Sequence, residues 1–178
     1  MLAAWETFYL VVGTSAGALV GVMFIVATLT AEITLDQINR GTTIYQNPTV
    51  FHFGVIVAVS AMALVPEHLL PVIAVLTGFI AIGGLAYAGV TLRRISEPYD
   101  FYQATNWDRL FFGFLPGLSY LLMLGGAIAV FWTPEIAAET IGAGTLLLLL
   151  VSIRNAWDVA TFAVRIARSL GTKEKAAK

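Results

Sequence analysis

The stretch FYLVVGTSAGALVGVMFIVATLT, Phe8–Thr30, contains no charged side chain in 23 residues. A helix needs about 20 apolar residues to cross about 30 Å of hydrocarbon, so this run predicts a membrane-spanning helix. Four further apolar runs follow it along the chain: Thr49–Val65, Pro71–Leu92, Leu110–Trp132 and Ile136–Val164. The sequence therefore predicts an all-α polytopic membrane protein with five transmembrane helices.

The basic residues predict the orientation of these five helices. None of the ten Lys and Arg residues lies in the N-terminal tail, the Pro66–Leu70 turn or the Thr133–Glu135 turn. Cytoplasmic loops retain Lys and Arg, which predicts an external N-terminus and a cytoplasmic C-terminus. The side predicted to be cytoplasmic carries Arg40, Arg93, Arg94, Arg109, Arg154, Arg165, Arg168, Lys173, Lys175 and Lys178.

Composition limits the domain organisation and the chemistry. The chain has 178 residues, of which 58% are hydrophobic and only 12% are charged, and it has no cysteine. A soluble domain carries about 25% charged residues, so we expect one transmembrane domain over residues 1–170 and a basic cytoplasmic tail over 171–178. Thiol catalysis, disulfides and thiolate metal sites are excluded. The net charge of −1 gives no reason to expect nucleic-acid binding.

Small residues recur on one face of the first predicted helix. Gly13, Gly17 and Gly21 follow one another at i, i+4 spacing, as in a glycine zipper. Such a face lets another helix backbone approach closely within a membrane. Two interpretations remain open, namely packing within one chain, or a subunit interface or pore-lining face in a homo-oligomer.

A second group of polar residues lies near the cytoplasmic end of the last predicted helix. Arg154 and Asp158 are four residues apart and can form an ion pair on one helix face. Ionisable groups inside membrane helices are candidates for a functional site or a gate. Trp157 places this pair near the interface, where it could instead anchor the helix. His52 is predicted at a similar depth, either as part of a His–Asp proton relay or as a local hydrogen-bond partner.

Acidic residues mark the predicted external side. Glu6, Glu67, Glu135 and Glu139 could form rings at the entrance of an oligomeric cation pore, or could simply be solvated in short turns. The middle of the membrane region holds hydroxyl side chains but no acid, so the usual coupling group of a proton- or sodium-driven transporter is missing. Pro116 should interrupt the fourth helix, with Ser119 or a water molecule satisfying the freed carbonyl.

Four segments of the chain are distinctive together, namely Trp5–Phe8, the small-residue first span, Leu64–Pro66 and Ile153–Asp158. They resemble a group of small bacterial integral membrane proteins, some of which are labelled as modulators of a membrane-bound protease. It implies a multi-pass protein of the bacterial inner membrane without assigned catalytic residues.

The sequence thus predicts a non-enzymatic protein, because it has no nucleophile–base pair, phosphate-binding loop or zinc motif. We expect no cofactor and no metal. The leading hypothesis is an oligomeric pore or ion channel. The alternative is an accessory or regulatory subunit that engages a membrane-protein partner through its cytoplasmic loops. Expected partners also include the lipid bilayer, with anionic lipids at the inner face.

Overall fold

The computed structural model describes residues 5–30, 45–65, 69–97 and 105–176, and the regular structure of this part of the chain is helical. Its helices follow the predicted apolar runs with shifted ends, and the fourth run is divided between a short and a long helix. They are α1 (Glu6–Thr30), α2 (Asn47–Ala63), α3 (Leu70–Ser96), α4 (Asn106–Arg109), α5 (Leu115–Ala129) and α6 (Pro134–Ala176). A π-helical turn, Leu110–Phe114, joins α4 to α5.

Four helical segments are long and apolar enough to cross a membrane: Glu6–Thr28, Leu70–Ser96, Asn106–Ala129 and Pro134–Phe162. The remaining helix, α2, has only 17 residues and therefore a length of about 26 Å. Large apolar side chains cover the outside of the bundle, including Phe24 and Phe79, which are 66% and 69% exposed. An exterior of this kind is typical of an integral membrane protein.

The fourth predicted span differs from the uninterrupted helix Leu110–Trp132. It begins earlier because Thr105 and Asp108 form a capping box, in which the Thr105 backbone N–H donates to Asp108 Oδ2 at 2.8 Å. The chain then widens into the π-helical turn just before Pro116, and regular helix ends at Ala129. A cap within Thr105–Asp108 is what the residue types of this segment predict, whereas the π-helical turn was not predicted.

The last helix is longer than predicted. It runs without a break for 43 residues, from Pro134 to Ala176, which corresponds to about 65 Å. The backbone of the segment predicted to be a separate basic tail therefore continues the transmembrane helix as far as Ala176.

Glycines set the distances between antiparallel neighbours. A Cβ on Gly126 would lie 3.0 Å from the Ala137 carbonyl oxygen, and one on Gly144 would lie 2.8 Å from the Ser119 carbonyl oxygen. Ser119 of α5 is thus level with Gly144 of α6, and Gly126 of α5 is level with Ala137 of α6. The two helices therefore run in opposite directions. Backbones this close gain dispersion contacts that larger side chains would prevent.

One face of α2 forms a large part of the core. Phe53 and Ile56 are fully buried and pack in one cluster with Tyr9, Tyr120 and Leu148. Two smaller clusters lie towards the ends of the bundle. One contains Ala74, Val130 and Ala137, and the other contains Tyr45, Ile95 and Phe112.

These end clusters define two chemically different ends. We call the first the acidic end, because it is where α1 and α6 begin and where Glu6, Glu135 and Glu139 are exposed. The second is the basic end, where α3 finishes with Arg93 and Arg94 and where Arg109 precedes the π-helical turn. The helix directions thus bring together at each end the charges that are scattered along the sequence.

Candidate functional site

A set of uncharged polar side chains lies in the interior of the bundle. Those that are buried within the described segments include Thr49, His52, Ser60, Thr77, Thr91, Ser119, Thr145, Ser152 and Asn155. Several hydroxyls bond to a carbonyl oxygen of their own helix, as Ser119 does with Leu115 and Thr145 with Ile141. The chemically distinctive members are therefore His52 and Asn155, which bond to other helices.

His52 on α2 is joined to Tyr120 on α5. The distance from His52 Nδ1 to Tyr120 Oη is 2.7 Å, and the two side chains are 1% and 0% exposed. Within the described residues, His52 Nε2 has no hydrogen-bond partner. A buried donor or acceptor without a partner costs about 1–3 kcal/mol, so this nitrogen is an energetically significant feature of the core.

Aromatic rings and one glycine hold this pair in place. The Tyr120 ring lies against Gly84 of α3, where an added Cβ would be 2.2 Å from Tyr120 Cε1. On another side, the ring centroids of His52 and Tyr87 are 6.4 Å apart, and those of Tyr87 and Phe51 are 4.5 Å apart. Tyr120 can reach His52 because α3 presents no side chain at position 84.

Asn155 on α6 stabilises the π-helical turn. Its Nδ2 donates to the carbonyl oxygen of Phe111 at 2.9 Å, and the residue is fully buried. In the turn, the N–H of Leu115 bonds to Leu110, five residues back. By the same register the next N–H would bond to Phe111, but residue 116 is proline and has none. Asn155 supplies the missing donor, whereas the sequence had suggested Ser119 or water.

Arg154 connects the same turn to the basic end. Its guanidinium carbon lies 4.0 Å from the centre of the Phe111 ring, and the other neighbour of that ring is Trp107, stacked at 6.0 Å. Arg154 Nη1 is also 2.8 Å from Asp158 Oδ2. Since the two side chains are 37% and 42% exposed, the ion pair is wet, which favours helix anchoring over a buried gate.

The predicted relay between His52 and Asp158 does not describe these contacts. His52 bonds to Tyr120, which lies 68 positions further along the chain, and Asp158 bonds to Arg154. The observed hydrogen-bond partner of His52 thus lies on another helix, α5. Tyr120 could have been recognised only as one of several hydroxyls in the fourth span, because no sequence spacing relates it to His52.

The glycines of α1 have two different environments. A Cβ on Gly13 would lie 2.8 Å from Ser60 Cβ, so Gly13 packs against α2 within one chain. Gly17 and Gly21 have nothing within 4 Å of an added Cβ, and both are exposed. Packing within the chain accounts for the first glycine only.

The acidic residues are exposed where the structure describes them. Glu6, Glu135 and Glu139 share the acidic end, and Glu67 lies outside the described residues. The described segments contain no group of three His, Asp or Glu side chains that could hold a metal ion.

No family model matches this sequence, and neither a curated protein nor a solved structure is similar to it.

Proposed function

We propose that the chain is a non-enzymatic protein of the bacterial inner membrane that crosses the bilayer five times and assembles into an oligomeric pore. The observation that carries this proposal is the open face of α1. Four positions of α1, Thr14, Gly17, Gly21 and Thr28, lie on one helix face and are exposed in the single chain. This open face is free for close approach by another helix.

The proposed orientation rests on the two ends of the bundle. Arg93, Arg94 and Arg109 lie at the end opposite Glu135 and Glu139, which agrees with a cytoplasmic basic end and an external acidic end. Anionic lipids of the cytoplasmic leaflet would then attract the basic end. The five-span count includes α2, a 17-residue helix that buries one face, including His52, Phe53 and Ile56, against the surrounding helices.

A permeation path between subunits fits the packing better than a path within one chain. A cavity in the chain, lined by Tyr9, Ala74, Thr77 and Ile141 among others, has a volume of only about 30 Å³. Copies arranged around the open face would place Thr14, Gly17 and Gly21 along a shared axis. Glu6, in the first turn of α1, would then lie near the external mouth and favour cations.

One observation favours the accessory-subunit alternative. The hydroxyls on this side of α1 already bond to their own helix: Thr14 and Ser15 donate to Val11 O at 3.1 and 2.7 Å, and Thr28 donates to Ile25 O at 2.8 Å. They are thus less available to solvate an ion. In that case the open face would bind a partner helix without forming a pore.

Reconstitution in liposomes tests the proposal. We expect cation flux and a cross-linked oligomer from the native chain, with both lost in Gly17→Leu. The matched control is Gly89→Leu on α3, where an added Cβ also meets nothing within 4 Å. This control should retain both properties. An oligomer or a monomer that gives no flux would overturn the pore and support the accessory subunit, and flux unaffected by Gly17→Leu would show that the open face does not line the path.

A further inference from the structure

The unpartnered nitrogen of His52 lies in the most protected part of the bundle. His52 is 1% exposed, and its neighbours Phe53 and Ile56 on α2 are fully buried. Buried polar atoms in native proteins are nearly always bonded to protein or to ordered water. The surroundings of Nε2 therefore point to a small ligand with hydrogen-bonding capacity.

The hydrogen bond to Tyr120 determines whether Nε2 of His52 carries a hydrogen. If Nδ1 donated to Tyr120 Oη, then both Nε2 and the tyrosine hydroxyl hydrogen would lack partners. If Tyr120 donates to Nδ1, only the Nε2–H is left without one. The second arrangement leaves fewer unsatisfied groups, so Nε2 carries the hydrogen and is a donor.

Two other buried hydroxyls, for which the described segments provide no hydrogen-bond partner, lie on either side of His52 along the bundle. Ser60 Oγ is eight residues further along α2, about 12 Å towards the acidic end. On α6, Gly144 is level with Ser119 and Met123, which flank Tyr120. Ser152 is eight residues beyond Gly144, so its Oγ lies towards the basic end. Buried water molecules characteristically bond to groups of this kind.

We propose that His52 Nε2 binds an internal water molecule and that Tyr120, His52 and this water form a proton relay within each chain. In the transfer step, the Tyr120 O–H bond breaks as an Nδ1–H bond forms, and the Nε2–H bond breaks as its proton passes to the water oxygen. A protonated second water molecule returns a proton to Tyr120 and leaves as water, so one proton enters, one leaves and no group is oxidised. Rotation of the His52 side chain then turns Nε2 towards Tyr120 and the Nδ1–H towards the water, and a second transfer in this arrangement returns the hydrogen to Nε2.

The surroundings of His52 suit water and protons better than a metal ion or an anion. The titratable groups that face it are Tyr120 from α5 and Tyr87 from α3, both uncharged as phenols. The buried side chains of α6 are apolar, hydroxyl or amide, and α1 contributes Tyr9 to the same core. A bound ion would have no opposite charge there, and burying an unpaired charge is very costly.

Proton flux into liposomes tests the relay separately from the oligomeric pore. A potassium diffusion potential drives protons inwards, and a pH-sensitive dye inside the vesicles reports their entry. We expect proton entry with the native chain and at least a tenfold loss in Tyr120→Phe, which keeps the ring against Gly84 but has no hydroxyl. Gly17→Leu should lose the cation flux of the proposed pore and keep proton entry, because the relay lies inside one chain.

A spectroscopic measurement keeps the test informative if a variant is unstable. Nitrogen-15 labelling of the native protein should show one buried histidine with its hydrogen on Nε2, assigned by comparison with His68→Gln. That hydrogen should exchange with deuterated water much faster than the backbone amides of α2. Proton entry unchanged in Tyr120→Phe, no proton entry in the native protein, or a hydrogen on Nδ1 would each overturn the relay.

Discussion

The side-chain amide of Asn155 takes the place of the backbone N–H that Pro116 lacks, at a distance of 2.9 Å from the Phe111 carbonyl oxygen. The other atom of the amide, Asn155 Oδ1, accepts a hydrogen bond from Arg154 Nη1 at 3.5 Å. This contact agrees with the amide orientation that directs Nδ2 to the Phe111 carbonyl oxygen. A local defect in α5 is thus satisfied by a residue of α6. The bond also fixes the register of these two helices at the basic end.

A double-mutant cycle tests this substitution of one donor for another. Asn155→Ala leaves the Phe111 carbonyl without a partner and should lower the free energy of unfolding by about 1–3 kcal/mol. In a Pro116→Ala background the backbone regains an N–H, so the same change should cost clearly less. Thermal unfolding in detergent measures both effects. Equal costs in the two backgrounds would show that Asn155 acts independently of the proline.

Adjacent glycines of α3 offer a matched pair of variants. Gly84→Ala places a Cβ 2.2 Å from the Tyr120 ring and should destabilise the protein by about 1–3 kcal/mol while disturbing the His52–Tyr120 bond. Gly83→Ala meets nothing within 4 Å and should be neutral or stabilise the helix by up to about 1 kcal/mol. Unfolding temperatures decide the comparison, and similar losses in both variants would contradict the proposed role of Gly84.

The Arg154–Asp158 pair should contribute little to stability. Asp158→Asn removes a wet ion pair and should cost no more than about 1 kcal/mol, less at high salt because exposed charges are screened. Arg154→Leu should cost more, since it also removes the guanidinium from the Phe111 ring, 4.0 Å away. Unfolding at two salt concentrations measures both. A larger cost for Asp158→Asn than for Arg154→Leu would indicate a functional or buried pair.

Single cysteines provide a direct test of orientation, because the natural chain has none. In intact cells, Cys at Glu135 or Glu139 should react with an impermeant thiol reagent, whereas Cys at Arg94 should react only after the membrane is opened. All three positions are exposed in the structure. Labelling of Arg94→Cys alone in intact cells would reverse the proposed topology.

The helical fold could be predicted because membrane helices have a strong local signal. The apolar runs at Phe8–Thr30 and Pro71–Leu92 lie inside α1 and α3, and Thr105–Asp108 carries a recognisable capping pattern. The π-helical turn could not be foreseen, because Pro116 predicts only that a hydrogen bond is missing. Which donor replaces it depends on how α6 packs against α5.

The candidate site was less predictable than the fold for the same reason. The i, i+4 spacing of Arg154 and Asp158 predicted their ion pair, which the structure contains. The contact between His52 and Tyr120 joins two helices and depends on the absence of a side chain at Gly84. Asp158 was considered as a partner of His52 only because the two residues were expected at a similar depth in the membrane. Depth does not specify which helices are neighbours.

The unbroken length of α6 has a mechanical consequence. Its span-length part, Pro134–Phe162, continues directly into a helical segment that ends at Ala176, a further 14 residues or about 21 Å along the helix. Gly126 of α5 and Gly144 of α6 bring the two helices into close contact near the start of this length. Tilting α6 as a unit about these contacts would therefore move its Ala176 end through a larger distance than the part packed in the bundle.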